Sequence, residues 1–373
     1  MSLSLTILLL AVLDLAYANG ANDNFKGVAT LFGSGTAHFR GAVTWATVTT
    51  LAGSLTAVVL AEKLLRSFSG RGLVDDSLVT SGEYVAAVAA GAGLTVLIAT
   101  RCGTPISTTH SLVGALVGSG WAAGSAINLT KLGNSFLVPL LISPLLAIAA
   151  TCVLYPLLKF LRGWLGVTET TCLCVGAEVI ECVPARLGDA VALQRVEQLT
   201  VSIGQTVTCR RRYEGRVLGF EALAVLDVLH YLSAGVVSFA RGLNDTPKIA
   251  ALLLLLPQLG RLSSTATVGG LMAVGGVLSV RRIADTMSRK ITPMNRGQGF
   301  TANLITGVIV VGASWLGMPV STTHVSCGSL FGIGAVTRRG RWDMIGKILA
   351  AWVTTLPLGA LLGAACYSAF RGL

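Results

Sequence analysis

Only 12% of the 373 residues are charged and 53% are hydrophobic, against about 25% charged in soluble domains; with a mean hydropathy of +0.73 this argues against a water-soluble globule. The balance of 28 basic to 17 acidic residues, a net +11, would point to nucleic acid in a soluble chain. Here most basic residues stand in a few loops between apolar segments, where they orient a membrane protein, so no nucleic-acid partner is expected.

Stretches of about 18 or more apolar residues, each long enough to cross a hydrocarbon core of about 30 Å, recur along the chain. The first half holds 3–36 (broken at 19–24), 41–61, 83–100, 104–123 and 134–160. The second holds 217–257 (broken at 241–248), 265–280, 299–316, 318–336 and 342–370. Residues Met1 to Phe25 lack Lys and Arg and are interrupted by Asp14, so the positive leader of a secretory signal is missing. Although Ala16-Tyr17-Ala18 resembles a cleavage site, the stretch reads as a first membrane segment. The expected division is a first membrane repeat over 1–162, a linker over 163–216 and a second repeat over 217–373.

The linker is polar, and its runs Cys172-Leu173-Cys174-Val175 and Thr206-Val207-Thr208-Cys209 alternate like short strands. Its Cys-x-Cys with two further cysteines, Cys182 and Cys209, could hold a metal, but the spacing fits no zinc pattern. The cysteine distribution does not resemble a disulfide framework, so reduced thiols in a cytosolic loop are expected. Placing the linker in the cytoplasm and alternating sides puts Arg40, Arg101, the basic residues of 159–216, Arg281 to Arg296 and Arg338 to Lys347 inside. Only Lys63, Arg66, Arg71, Lys131, Arg261 and Arg371 then fall outside. The bias places both termini outside a cell (inner or plasma) membrane.

The chain repeats itself. Residues 103–118, beginning Gly-Thr-Pro-Ile-Ser-Thr-Thr-His, return at 317–332 as Gly-Met-Pro-Val-Ser-Thr-Thr-His. Gly20-Ala21-Asn22-Asp23 returns as Gly242-Leu243-Asn244-Asp245. The step is 222 residues for the second pair (22 to 244) and 214 for the first (107 to 321). Two copies of a unit with an odd number of segments enter the membrane from opposite sides, and inverted repeats with broken helices are how many secondary transporters build a midplane site.

The fold class expected is thus an all-α polytopic membrane protein, an inverted repeat of two five-segment halves with broken helices and hairpins, plus a small β-rich cytoplasmic linker. In each Gly-x-Pro-x-Ser-Thr-Thr block the glycine ends one segment and Pro105 or Pro319 suits the first turn of the next. Ser107, Thr108, Thr109, Ser321, Thr322 and Thr323 then lie at helix N-termini, whose free N–H groups favour an anion. Two such ends facing each other would hold a tetrahedral oxyanion, although hydroxyls at those places also simply cap helices. Asn22, Asp23, Asn244 and Asp245 sit at the broken segments. A carboxylate at membrane depth costs about 2.5–3.5 kcal/mol and calls for a cation, a proton or a wet cavity; Asp23 and Asp245 suit sodium. Lys26 and Lys248 follow three residues later, in reach of the carboxylates on one helical face; such a pair can also serve only to neutralise itself, but an apolar pair would insert more cheaply.

His110 and His324 are expected to fix their hairpins by hydrogen bonding rather than to bind metal, with a proton relay as the other role. Asp14, Asp227 and His230 are expected to line a cavity or bond between helices. Gly114-x3-Gly118 and Gly328-x3-Gly332 are faces for close helix packing.

Together these residues resemble the inorganic phosphate transporter (PiT) family, whose signature is a twice-occurring Gly-x-Asn-Asp joined to paired Pro-x-Ser-Thr-Thr-His blocks. The resemblance implies a symporter importing inorganic phosphate with sodium or protons, with helical hairpins, termini outside, a cytoplasmic central loop and a homodimer in membrane lipid. It also implies that Asn22, Asp23, Asn244 and Asp245 contribute to cation and phosphate coordination while the six Ser and Thr residues hold phosphate and complete the ion sites. Two departures stand out. Many members continue Asn-Asp-x-x-Asn where this chain has Lys26 and Lys248, and Arg241 stands where His is common. A tethered ammonium can take the electrostatic place of sodium, so this chain is expected to need fewer sodium ions or to use protons. No cofactor is expected beyond sodium as co-substrate, and no enzymatic activity. The alternatives are a permease for another tetrahedral oxyanion such as sulfate, an intramembrane hydrolase and a channel. The two equally intact Ser-Thr-Thr-His blocks argue against a hydrolase, and no Walker-type Gly-x4-Gly-Lys-Ser/Thr is present.

Overall fold

The computed structural model describes residues 3–60, 68, 70–187, 190–212, 217–255, 260–318 and 320–372. Pro319, Lys63, Arg66 and Arg216 lie outside them, as does the side chain of Cys182. The first half contains α1 (Leu3–Asp23), α2 (Ala29–Gly33), α3 (Phe39–Leu60), α4 (Gly82–Cys102), α5 (Thr108–Ala122) and α6 (Leu129–Trp164).

Contacts separate the unit Pro156–Leu229 from the rest. Within it, β1 (Thr171–Leu187) pairs antiparallel with β2 (Ala190–Gln205), followed by α7 (Thr206–Arg212) and by β3 (Val217–Glu221), which pairs with the other side of β1. The β-rich linker expected from sequence is thus a three-stranded sheet in the order β2-β1-β3. Two expectations fail within it. Thr206 to Cys209 is helix, because Gln205 already pairs with Thr171, the first residue of β1, and no partner strand is left beyond that rung. Cys174 and Cys209 are joined as a disulfide where reduced thiols were expected, because α7 folds Cys209 back over β1, a juxtaposition that cysteine spacing cannot reveal.

The second half contains α8 (Ala222–Ala250), α9 (Arg261–Leu278), α10 (Arg281–Lys290), α11 (Arg296–Trp315), α12 (Thr322–Thr337) and α13 (Trp342–Phe370). Among the described residues α1, α3, α4, α6, α8 (continuing to Leu253) and α13 are long and apolar enough to cross a membrane, and α9 with α10, bent by 65°, is apolar enough together for a broken span or a re-entrant loop. By contrast α5 and α12 have 15 and 16 residues, about 22–24 Å at 1.5 Å per residue, and neither crosses alone. The apolar stretches at 104–123 and 318–336 are thus longer than the helices they hold, in keeping with the hairpins expected from sequence. Gly103 and Gly317 adopt a left-handed φ of 69°, a conformation glycine takes without penalty. Thr104 to Ser107 then run as non-helical backbone before α5 begins, so the apolar stretch is longer than its helix.

The breaks also move. The first falls at 24–28, past the expected 19–24, where Gly27 admits α8 so closely that a Cβ there would lie 2.3 Å from Ser238 Oγ. In the second repeat α8 runs unbroken through Pro247 to Ala250 and then tightens into a 3-10 turn. Packing against neighbouring helices lets a buried membrane helix tolerate proline.

The inverted repeat is written in the close approaches between helices. A Cβ on Gly20 would stand 2.0 Å from the Met272 carbonyl oxygen, and one on Gly242 would stand 2.1 Å from that of Thr50. The same relation joins Gly53 to Phe239 and Gly275 to Tyr17, each at 2.0 Å. Thus α1 packs on α9 as α8 packs on α3, at positions 222 residues apart. The two Gly-x3-Gly faces behave alike: Gly114 and Gly118 meet Leu356 and Ala360 of α13, while Gly328 and Gly332 meet Pro144 and Ile148 of α6. Gly118→Leu, whose Cβ would lie 1.9 Å from the Ala360 carbonyl oxygen, is expected to cost about 1–3 kcal/mol or more by overpacking. The thermal unfolding midpoint in detergent should fall, whereas Gly41→Leu, with open space at its Cβ, should leave it unchanged.

Candidate functional site

Asn22 and Asp23 are the last residues of α1, and Asn244 and Asp245 lie in the second half of α8. All four are buried, as are Lys26 and Lys248 at 1% exposure each. The i,i+3 spacing delivers the expected ion pairs, Asp23 with Lys26 and Asp245 with Lys248, the second at 3.2 Å. Each ammonium does more than neutralise its neighbour. Lys26 donates to Asn22 Oδ1 at 3.0 Å and the Ile106 carbonyl at 2.8 Å, and also bonds Asp23 and the Thr323 hydroxyl of the opposite repeat. Lys248 donates to the Val320 carbonyl at 3.1 Å and, across the repeats, to Thr109 Oγ1 at 2.8 Å. Carboxylate, loop carbonyl and threonine hydroxyl oxygens, with the Asn22 amide oxygen at Lys26, thus accept every hydrogen bond each nitrogen makes among the described residues, and the Lys248 ammonium also stands 5.5 Å from the centre of the Phe68 ring.

The hairpin tips bring the other predicted residues to the same place. Ser107 and Ser321 are N-caps, accepting from the backbone N–H of His110 and His324 at 3.2 Å each; in this state their hydroxyls bond their own helices. Thr108 donates to Asp23 Oδ2 at 3.3 Å, and Thr323 donates to the Ile106 carbonyl at 2.7 Å. Thr322 is buried beside them at the start of α12. Asn22 donates to Thr100 Oγ1 at 2.9 Å and the Thr104 carbonyl at 3.2 Å, and Asn244 to the Val320 carbonyl at 3.2 Å. From the far side Trp352 of α13 holds the Pro105 carbonyl at 3.1 Å, and Thr286 of α10 holds that of Gly103 at 2.8 Å. Pro105 therefore lies ahead of the cap rather than in the first turn of α5.

Two members of the cluster were absent from the predicted set. Arg241, 1% exposed, donates to Asn19 Oδ1 at 2.6 Å and Asn24 Oδ1 at 3.1 Å and lies 3.8 Å from Asp245. Asn19 Nδ2 in turn reaches Asp23 Oδ2 at 3.3 Å and Asp245 Oδ2 at 3.5 Å, tying the two carboxylates together. Asn19 and Arg241 are themselves 222 residues apart, the step that relates Asn22 to Asn244, so this repeat step was the signal that could have found them. His110 and His324 likewise meet, ring centroids 4.4 Å apart, and His324 stacks on Trp352 at 3.8 Å. Their rings join the two hairpins to each other, where each was expected to fix its own. His230 makes the expected interhelical bond, 2.9 Å to Thr30 Oγ1.

At formal charge, Lys26, Lys248 and Arg241 outweigh Asp23 and Asp245 by one positive charge. Among the described residues, Arg241 Nε and Asn244 Oδ1 are buried without a hydrogen-bond partner, although such groups are nearly always satisfied. The cluster thus offers a monoanion one surplus charge, a donor that faces Asp245 at 3.8 Å without a hydrogen bond, and a spare acceptor.

The family match spans residues 19–363 and carries the description "Phosphate transporter family". A protein of Rhizobium meliloti named "Probable low-affinity inorganic phosphate transporter" is 30% identical over 95% of this chain and 92% of its own length. One of the same name from Mycobacterium tuberculosis is 28% identical over 98% of this chain and 78% of its own. A solved structure described as "The sodium-dependent phosphate transporter" superposes with a TM-score of 0.75 at 20% identity over 99% of both chains, which shows the shared fold. The paired motifs and these matches agree: the chain belongs to the phosphate transporter family, a family of transporters and not of enzymes.

Proposed function

We propose that the chain imports inorganic phosphate across a cell membrane in symport with protons, and that Lys26 and Lys248 take the places sodium would fill. The observation that carries this reading is the pair of oxygen-donor sets, each already hydrogen-bonded to an ammonium. Carboxylate, amide, carbonyl and hydroxyl oxygens are the hard ligands an alkali cation takes, and a lysine nitrogen supplies the same charge without entering or leaving. The coupling ion must then bind elsewhere or be a proton.

Phosphate would sit between the two hairpin tips, with Ser107, Thr108, Thr109, Ser321, Thr322, Thr323, Asn22 and Asn244 around it and helix N-termini facing its oxygens. Arg241 Nε would donate to one oxygen and Asn244 Oδ1 would accept the P–O–H proton. Sulfate has no such proton at neutral pH and always arrives as a dianion, so the spare acceptor and the single surplus charge favour phosphate. The charge bias places both termini outside and 163–216 in the cytoplasm. A homodimer is part of the same reading.

The test is uptake of labelled phosphate into proteoliposomes under a proton gradient or a sodium gradient, with excess sulfate as competitor. Proton-driven uptake indifferent to sodium and sulfate is expected. A strict sodium requirement would overturn the lysine assignment, and uptake abolished by sulfate would move the broader oxyanion reading ahead.

A further inference from the structure

The three-stranded unit gathers sulfur atoms that the transport site does not use. Cys172 and Cys174 are two residues apart on β1 and so share a face, and α7 brings Cys209 onto it. All three are buried, and their sulfurs lie within 4.8 Å of one another. Opposite each strand cysteine stands a glycine: Gly204 of β2 pairs with Cys172, and Gly219 of β3 pairs with Cys174. A Cβ on Gly219 would stand 2.9 Å from Cys172 Sγ, and one on Gly204 3.6 Å from Cys209 Sγ. The neighbouring strands therefore leave open the space the sulfurs occupy. Cys174 and Cys209 are bonded, while Cys172 remains a free thiol against the pair.

A disulfide alone needs two cysteines and no third, and disulfides are rare on the cytoplasmic side of a membrane. We propose that the reduced group is a three-thiolate site for a thiophilic d10 cation, Zn²⁺ or Cu⁺, and that the disulfide is its metal-free, oxidised form. A dithiol reductant gives two electrons and two protons to the Cys174–Cys209 bond, which breaks into two thiols as the reductant closes its own disulfide. The cation then forms three metal–sulfur bonds and releases three thiol protons to solvent. Zinc–sulfur bonds of about 2.3 Å place tetrahedral ligands about 3.8 Å apart, within the present spread of the sulfurs. Thiolates select these soft ions over sodium or magnesium. Among the described residues no histidine or carboxylate joins the group, so zinc would keep a water as fourth ligand, whereas cuprous copper would be held by the sulfurs alone.

The full chain in detergent would be reduced anaerobically with a phosphine, which gives the two electrons as it becomes a phosphine oxide while water supplies the two protons, then desalted so that no phosphine competes for metal, and exposed separately to Zn²⁺ and Cu⁺. Bound metal after desalting and thiols open to alkylation are then counted. Expected is one equivalent of one of the two ions per chain, with three fewer alkylated thiols than in the metal-free protein, and which ion is retained identifies the cation. Cys172→Ser should lose that metal yet still form the Cys174–Cys209 disulfide when oxidised, which shows that the unit is folded. Failure of the reduced wild type to retain either ion, or equal retention by Cys172→Ser, would overturn the proposal. Neither result depends on the transport reading.

Discussion

Replacing Lys26 and Lys248 together by asparagine is expected to turn a sodium-indifferent transporter into a sodium-requiring one. The two carboxylates would lose their tethered cations while staying buried, and removing one partner of a buried pair costs about 3–5 kcal/mol, a factor of about 100 or more in an equilibrium. Without sodium, uptake by the double variant should therefore fall about 100-fold or more. Adding sodium should restore much of it, because asparagine leaves an oxygen-lined space beside each Asp where an ion can sit among the Ile106 or Val320 carbonyl and the Thr323 or Thr109 hydroxyl. Restoration by sodium also proves that the variant folds. A double variant with the sodium dependence and pH profile of the wild type would end the idea that these lysines stand in for sodium.

What was legible in the sequence follows from the duplication. A motif that occurs twice marks both halves of a site, and its spacing anticipated both Asp–Lys pairs: Asp245 and Lys248 meet as i,i+3 neighbours on α8, while Lys26 meets Asp23 through the turn that follows α1, where its N–H bonds the Asp23 carbonyl at 3.1 Å. Contacts across the repeats were not legible, since no local spacing tells that Lys26 reaches Thr323 or that His110 meets His324. Nor was the reach of each helix. Hydropathy sees Gly-x-Pro-x-Ser as part of an apolar run, but the left-handed glycines and the serine caps stop α4 and start α5 some residues apart. In the linker, alternation at Thr206 to Cys209 imitates a strand, and only the register of β1 with β2 shows that the partner has run out.

Arg241 was set aside as a departure from the family pattern, yet its surroundings predict the second large effect. Arg241→Met should raise the KM for phosphate about 10- to 100-fold with a smaller change in maximal rate. That range corresponds to the about 1.5–3 kcal/mol of a hydrogen bond to a charged group. The guanidinium supplies the one positive charge by which the cluster exceeds neutrality, and its buried Nε, 3.8 Å from Asp245 Oδ2, makes no hydrogen bond among the described residues. Methionine fills a similar space while removing both. Arg241→Lys separates the two contributions: it keeps the charge but loses the planar fork that bonds Asn19 and Asn24, so its KM should fall between those of wild type and Arg241→Met. If Arg241 only braced α8 against α1, both variants would lower the yield of folded protein and the unfolding midpoint while the KM of the surviving molecules stayed at the wild-type value. Measuring KM on monodisperse protein distinguishes an anion-binding arginine from a brace, because a brace acts on how many molecules are folded and an anion ligand acts on how tightly each one holds phosphate.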